Sequence, residues 1–490
     1  MIVPGSEFVE RMIQADLLLP LDHAKIPNIA NVSKEFMEDA PYDPGRKFSM
    51  PYTWLVIGIG YRKSKVKEVP DSWKYVLDSD LYKGRIAVMS DASELYRHGF
   101  KYLGQSANAG NAELVKKVEE MLKKGIETFY VKKEDGTYYY DFETKNYVKI
   151  GENPRIILLP SLKERKMVIA TNPSATLVDI GDGVACLEFH TKMNALDDMI
   201  IELINKSCEV VEKDFIGLVV GNHGANFSAG ANIFKVLLLI QMGDWDILEA
   251  MVSGLQDANM RMKYLSKPVV TAPAGLTLGG GCEISMHGAK CQPCGETYMG
   301  LVEVGVGVIP AGGGCKEMMV RMTEGIPDGA IAGGLNLQQF YAKAFENIGT
   351  AKVATSAMEA MELGFIRKNE GISLNRDQQL WDAKQVVLGL AKFYKKPRPA
   401  MIPVMGENFR GMAEAILFNM QHGKFATEYD IHVGKKVAYI LSGGDCAEGT
   451  LVSEQEILDL EKEAFLSLCG EKRTQDRIMH MLTTGKPLRN

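Results

Sequence analysis

Between residues 167 and 375 the apolar positions switch between two periods. Residues 176–180 and 184–189 are short apolar runs set around Gly181-Asp182-Gly183, and short apolar runs bounded by turn residues read as strands. A helical pattern follows over 197–211, then a third strand at 216–220 and another helical pattern beginning near Ile233. Strand, helix and strand alternate in this way in parallel-sheet units, so this part of the chain is expected to be α/β. Residues 244–264 are expected to form one long helix, with Trp245, Leu248, Met251 and Leu255 near helical spacing as packing positions. Beyond Asp377 the pattern is mostly helical, with helices expected over 383–393, 410–420, 430–441 and 454–468. The prolines between 397 and 403 separate the first of these from the rest.

Ahead of residue 167 the pattern is less regular. Residues 7–19 carry a helical period, residues 53–61 and 85–89 look like strands, and Pro41-Tyr42-Asp43-Pro44-Gly45 is a turn. Leu114, Val118, Met121 and Leu122 fall on one helix face, closed by Lys123-Lys124-Gly125. Phe129-Tyr130-Val131 and Tyr138-Tyr139-Tyr140 flank Asp135-Gly136, the signature of a hairpin.

Length and composition narrow the picture. The 490 residues suggest about three domains, and a hydrophobic content of 46% supports a sizeable core. A net charge of −6 argues against nucleic acid as a partner. Eight irregularly spaced cysteines do not form a disulfide framework, and Cys291-Gln292-Pro293-Cys294 is read as a chance pair of buried thiols. The histidines lack metal-ligand spacing, so no metal is expected; His190 is read as a satisfied structural residue. Met1-Ile2-Val3-Pro4-Gly5 has no signal-peptide character, and no apolar run approaches the ~18 residues of a membrane span. A soluble, cytoplasmic product is expected.

Three short pieces carry candidate chemistry. Asn226-Phe227-Ser228-Ala229-Gly230-Ala231-Asn232 is a turn of small residues before a helix, where the first N–H groups lack intrahelical partners. Leu278-Gly279-Gly280-Gly281-Cys282-Glu283 bares a stretch of backbone, so a peptide N–H can meet a ligand without a side chain in the way. Two such donors on one carbonyl oxygen would form an oxyanion hole, worth roughly 3–4 kcal/mol per donor. Glu283 and, in the third piece, Glu303 of Gly300-Leu301-Val302-Glu303-Val304-Gly305 then supply two carboxyl groups in an apolar setting. Burial and mutual repulsion would raise at least one of their pKa values toward neutrality.

These pieces, with Ile309-Pro310-Ala311-Gly312-Gly313-Gly314, resemble the crotonase (enoyl-CoA hydratase/isomerase) superfamily. The resemblance implies a repeated ββα core over 167–375 with a C-terminal helical region over 376–490. It implies that Ala231 and Gly280 donate the oxyanion-hole N–H groups and that Glu283 and Glu303 are the acid/base pair. Ala229 would lie near the adenine end of coenzyme A and Lys235 would face its phosphates, while Phe340 and Phe345 are read either as walls of the acyl pocket or as core. The presence of both glutamates favours hydration of a 2-enoyl-CoA thioester; a double-bond isomerase is the alternative. An acyl-CoA substrate, no permanently bound cofactor and homo-oligomerisation through the core are implied.

Residues 1–110 resemble a fragment of the polyamine-binding proteins of spermidine/putrescine transporters. The resemblance rests on pieces such as Phe48-Ser49-Met50-Pro51-Tyr52-Thr53-Trp54 and Tyr82-Lys83-Gly84-Arg85. It places Asp91 and Glu94 where that family pairs carboxylates with ligand ammonium groups. Such proteins close on a ligand between two complete lobes, so the fragment is expected to bind polyamine poorly. Residues 111–166 resemble the end of the C-terminal domain of bacterial 3-hydroxyacyl-CoA dehydrogenases that carry a hydratase domain, and the whole of 112–490 resembles that fusion. No G-x-G-x-x-G follows an early strand, so NAD is not expected. Alternatives from other classes are a solute-binding protein and an inactive chimera.

Overall fold

The computed structural model describes residues 6–490 except 39, 41, 52–57, 80, 83–85, 87–91, 106–110, 124–129, 134, 135, 142, 143, 145, 150 and 152. The chain divides at Gly151/Glu152 into two units. The stretch anticipated as a separate piece over 111–166 is shared between them. Its helix Ala112–Lys123 packs in the first unit, where a Cβ on Gly99 would lie 2.7 Å from Val118 Cγ2. Its helix Leu159–Glu164 belongs to the second unit, with Leu159 buried.

In the first unit the opening helix, Ser6–Gln14, is shorter than its apolar period. Leu17 N–H closes back onto the Met12 carbonyl around Asp16, whose φ is 55°, and a left-handed residue ends a helix in this way. Strands β1 (Tyr130–Lys133), β2 (Gly136–Asp141) and β3 (Asn146–Lys149) form an antiparallel sheet. Lys133 pairs with Gly136, so the expected hairpin forms, although Asp135 lies outside the described residues. The strands anticipated at 53–61 and 85–89 fall largely on residues outside the description, and residues 58–61 are not strand.

The second unit is built on a six-stranded sheet. It contains β4 (Val168–Thr171), β5 (Ala175–Asp179), β6 (Val184–Phe189), β7 (Gly217–Val220) and β8 (Val269–Thr271). After β9 (Gly275–Leu278) comes β10 (Lys290–Cys291), which completes the sheet in the order β10-β8-β7-β6-β5-β4. β9 pairs instead with β11 (Thr297–Gly300), in parallel. β4, β5 and β6 run antiparallel and β6, β7, β8 and β10 parallel.

The apolar runs are continuous because both sheet faces are covered. Ala185, Leu187 and Phe189 of β6, with Leu218 and Val220 of β7, pack under the helix Asp198–Asp214. Val184 and Cys186, with Val219, face Leu380, Ala383 and Val387 of the helix Gln379–Ala391 on the other side. Full burial of each large apolar side chain contributes about 1.5–3 kcal/mol.

The expected C-terminal helices are present as Gln379–Ala391, Gly406–His422, Glu428–Leu441 and Glu454–Cys469. A further helix, Lys472–Thr484, was not anticipated. It buries Thr474 and Arg477 beside Ile478, and the Arg477 guanidinium donates to Asp430 Oδ1 at 2.8 Å and Asn490 Oδ1 at 2.7 Å. Among the described residues no helix is long and apolar enough to cross a membrane.

Candidate active site

The loop after β7 is zipped onto β9. Phe227 N–H donates to the Ala274 carbonyl, Ser228 N–H to that of Leu276, and Leu278 N–H returns a bond to Ser228. Asn226 Oδ1 accepts from Leu276 N–H at 3.0 Å. This pairing carries the Ala231 peptide to the Leu278–Gly280 turn. A Cβ built on Gly280 would stand 3.6 Å from Ala231 N, and one on Gly230 would stand 3.5 Å from Gly280 N and 2.9 Å from the Leu278 carbonyl oxygen. Neither Ala231 N–H nor Gly280 N–H, at the start of the helix Gly280–Met286, has an acceptor among the described residues. The two donors therefore converge with free hydrogen-bonding capacity.

A second turn clamps this loop from behind. Met193 and Asn194 both adopt left-handed backbone, with φ of 59° and 50°, a conformation unfavourable for residues with side chains and found where surroundings over-determine it. The Met193 carbonyl accepts from Ala229 N–H, Asn194 Nδ2 donates to the Asn226 carbonyl at 2.9 Å, and Ser228 Oγ donates to the Asn194 carbonyl at 2.7 Å. None of these residues was singled out for this role by the sequence, because their partners lie some thirty positions away.

The two glutamates reach the same place from different elements. Gly279 has φ 53° and donates to the Gly300 carbonyl, tying the glycine turn to the end of β11. The chain then enters the short turn Glu303–Val306, and a Cβ on Gly279 would lie 3.1 Å from Glu303 Oε1. Glu303 Oε2 is buried without a hydrogen-bond partner among the described residues. Burial, reinforced by the charge of Glu283, pushes the Glu303 carboxyl well above the ordinary range.

Glu283 is 2% exposed. Its Oε1 accepts from the N–H groups of Gly312 and Gly314, both at 2.8 Å. Burial pushes this carboxyl up to about 7, against the pull of those N–H groups and of Lys316. Both carboxyls are thus held above the ordinary carboxylate range by burial, and two N–H groups and Lys316 oppose that rise at Glu283.

Ala229 is half-buried beside Met193, and Lys235 pairs with Asp198. Phe345 is packed edge-on against Phe409, 6.1 Å between ring centroids, inside the helical core, and Phe340 is partly exposed. His190 Nε2 lies 3.0 Å from Thr176 Oγ1. Cys291 and Cys294 are buried free thiols. Asp91 and the side chain of Glu94 lie outside the described residues.

The family model for enoyl-CoA hydratase/isomerase matches residues 183–377. Over these residues the chain is similar to the enoyl-CoA hydratase/isomerase family. The crotonase-type segment thus contains both N–H donors and both glutamates, while residues 1–150 match the bacterial extracellular solute-binding protein family.

A probable 3-hydroxyacyl-CoA dehydrogenase of Bacillus subtilis is 41% identical over 395 residues, covering 80% of this chain and 48% of the relative. A putrescine-binding periplasmic protein of Escherichia coli is 33% identical over 124 residues, 23% of this chain and 34% of the relative. The chain therefore spans less than half the length of either. A solved enoyl-CoA hydratase of Bacillus halodurans superimposes with a TM-score of 0.43 at 13% identity, covering 62% of this chain and 99% of that one.

Proposed function

We propose that the crotonase-type domain adds water across the 2,3 double bond of an enoyl-CoA thioester, and reverses that addition. The observation that carries this reading is the pairing of two buried glutamates, both pushed above the ordinary carboxylate range, beside two unengaged N–H groups. The thioester oxygen would lie between Ala231 N–H and Gly280 N–H, which stabilise enolate character as it develops. Glu283, as carboxylate, would take a proton from water as its oxygen bonds to C3, and Glu303 would deliver its proton to C2. Proton balance is then restored between the two carboxyls and solvent. The thioester already makes C3 electrophilic, so the reaction needs neither metal nor redox cofactor.

The dehydrogenase activity in the Bacillus relative's name is not part of this proposal, since these 490 residues lack the glycine fingerprint of a dinucleotide cradle. Ala229 and Lys235 are retained as proposed contacts of the coenzyme A portion, Lys235 by exchanging Asp198 for phosphate. A cytoplasmic site of action and self-association through the crotonase-type core follow from the same reading.

Crotonyl-CoA hydration, followed as loss of the enoyl-thioester absorbance, tests it. Glu283→Gln and Glu303→Gln should each lower kcat by about 10²-fold or more. Full activity in either variant would overturn the two-carboxyl mechanism, and conversion of a 3-enoyl thioester without hydration would move the assignment to an isomerase.

A further inference from the structure

The turn that grips Glu283 is gripped from its other side by a second buried carboxyl. Glu461 lies on the helix Glu454–Cys469, and it is fully buried. Its Oε2 accepts from Gly313 N–H at 2.8 Å and its Oε1 from Lys316 N–H at 2.7 Å. Along the start of the helix Gly314–Thr323, Gly312 and Gly314 point their N–H groups to Glu283, while Gly313 and Lys316 point theirs to Glu461. The turn carbonyls are held as well. Gln256 Nε2 donates to Ala311 at 2.8 Å and to Leu458 of the Glu461 helix at 2.9 Å, and Asn259 Nδ2 donates to Gly312 at 2.8 Å. There is no slack to take up: a Cβ on Gly312 would stand 2.5 Å from Glu283 Oε2, and one on Gly313 would stand 2.8 Å from the His287 ring.

We infer that Glu461 is the positioning residue for Glu283, so that the placement and charge of the proposed base depend on a helix well beyond residues 183–377. The inference rests on the reading of Glu283 above and adds a residue to it. Two carboxyls on one helix N-terminus cannot both ionise freely, because the second charge meets the first in a desolvated site. Burial and the charge of Glu283 push Glu461 well above the ordinary range.

The other groups facing the pair come from every neighbouring element. The short turn after β11 supplies Glu303, and the helix after the glycine turn supplies Cys315, Lys316 and Glu317. The Gly280–Met286 segment supplies Cys282 and His287, the latter held neutral, at about 3, by burial and Lys316. Lys263 and Glu454 complete the ion cluster around Lys316 and Glu317. Lys316 is the cation that faces both carboxyls.

The test is an infrared titration of the carboxylic C=O stretch, which needs no turnover. The Glu283 band is the one lost in Glu283→Gln. In Glu461→Gln it should persist to higher pH, because the N–H groups of Gly312 and Gly314, which hold the Glu283 carboxylate down, lose their fixed aim once the turn is no longer gripped from its other side. In Glu283→Gln the Glu461 band should disappear at a lower pH, because the charge of Glu283 that raises it is gone, which supplies the answer if Glu461→Gln does not fold. For crotonyl-CoA, Glu461→Gln should move the acid limb of kcat/KM to higher pH, while Asp459→Asn, an exposed charge on the same helix, should leave it in place. Unshifted bands in both variants would overturn the inference. Coupled bands in a protein that does not hydrate crotonyl-CoA would keep the pair and remove the hydratase reading.

Discussion

Glu283 shows how one residue's surroundings set its chemistry. Two peptide N–H groups and Lys316 stabilise its carboxylate, burial opposes them, and the balance lies at about 7 rather than in the ordinary carboxylate range. Glu303 has no partner among the described residues on its buried Oε2, and burial and the charge of Glu283 push it well above the ordinary range. The pH dependence follows from these shifts. Hydration of crotonyl-CoA should increase as pH rises through about 7, where Glu283 becomes a carboxylate, and decline at higher pH once Glu303 loses its proton; a kcat/KM profile checks both limbs. Both glutamates were visible in the sequence as chemistry-bearing positions. The groups that hold Glu283 down were not, because they include N–H groups 29 and 31 positions further along.

The loop from Asn226 to Asn232 acts as an element only through what holds it. Ser228 Oγ donates to Asn194 and accepts from Gly230 N–H at 3.1 Å. Ser228→Ala would leave both buried groups without that partner, at a cost of about 1–3 kcal/mol. Urea unfolding should show this loss, and kcat should fall more than KM rises as Ala231 N–H loses its aim.

The sheet offers a second prediction at this scale. A Cβ on Gly217 would stand 2.8 Å from the Pro268 carbonyl oxygen and run into Val387. Gly217→Ala should therefore destabilise the second unit by about 1–3 kcal/mol, read from the same unfolding curves. β6 and the long helices were legible because each buries a continuous or periodic apolar surface. In the helix Lys472–Thr484 the burial of Arg477 and Thr474 was not legible, because it is made tolerable by Asp430, Asn490 and the Gly307 carbonyl, all distant in the chain.

At the scale of the whole chain, every residue assigned to the site, Glu461 included, lies in the unit Glu152–Asn490. A protein comprising that unit alone should hydrate crotonyl-CoA with the kcat of the full chain, and spermidine added to the full chain should release no measurable heat in isothermal titration. The unit is also tied together by a buried ion cluster. Lys263 Nζ reaches Glu317 at 2.5 Å and Glu454 at 2.7 Å, and Lys316 reaches both carboxylates as well. Burial pushes Glu454 upward, but Lys316 and Lys263 outweigh it and hold the carboxyl at about 2, against an ordinary 4.5. A depressed carboxyl stabilises the fold above its unfolded value and loses that contribution as pH falls through the folded one. Circular dichroism should therefore show acid unfolding as the pH drops from 4.5 toward 2. Lys263→Met, which strips a buried cation from two carboxylates, should cost about 3–5 kcal/mol at neutral pH.

The sequence by itself determined the α/β class, the strands and helices whose apolar periods are long or doubly buried, and the candidate donors and acids at Ala231, Gly280, Glu283 and Glu303. These are local properties: a small-residue turn, a run of glycines and a carboxylate beside them are legible within a few positions. Tertiary structure alone decided which residues hold them. The left-handed turn at Met193 and Asn194, the grip of Gly312 and Gly314 on Glu283, and the opposing grip of Glu461 depend on contacts between segments distant in the chain. No short-range pattern encodes such contacts, because a backbone N–H exists at almost every position and only folding selects which carboxyl it meets.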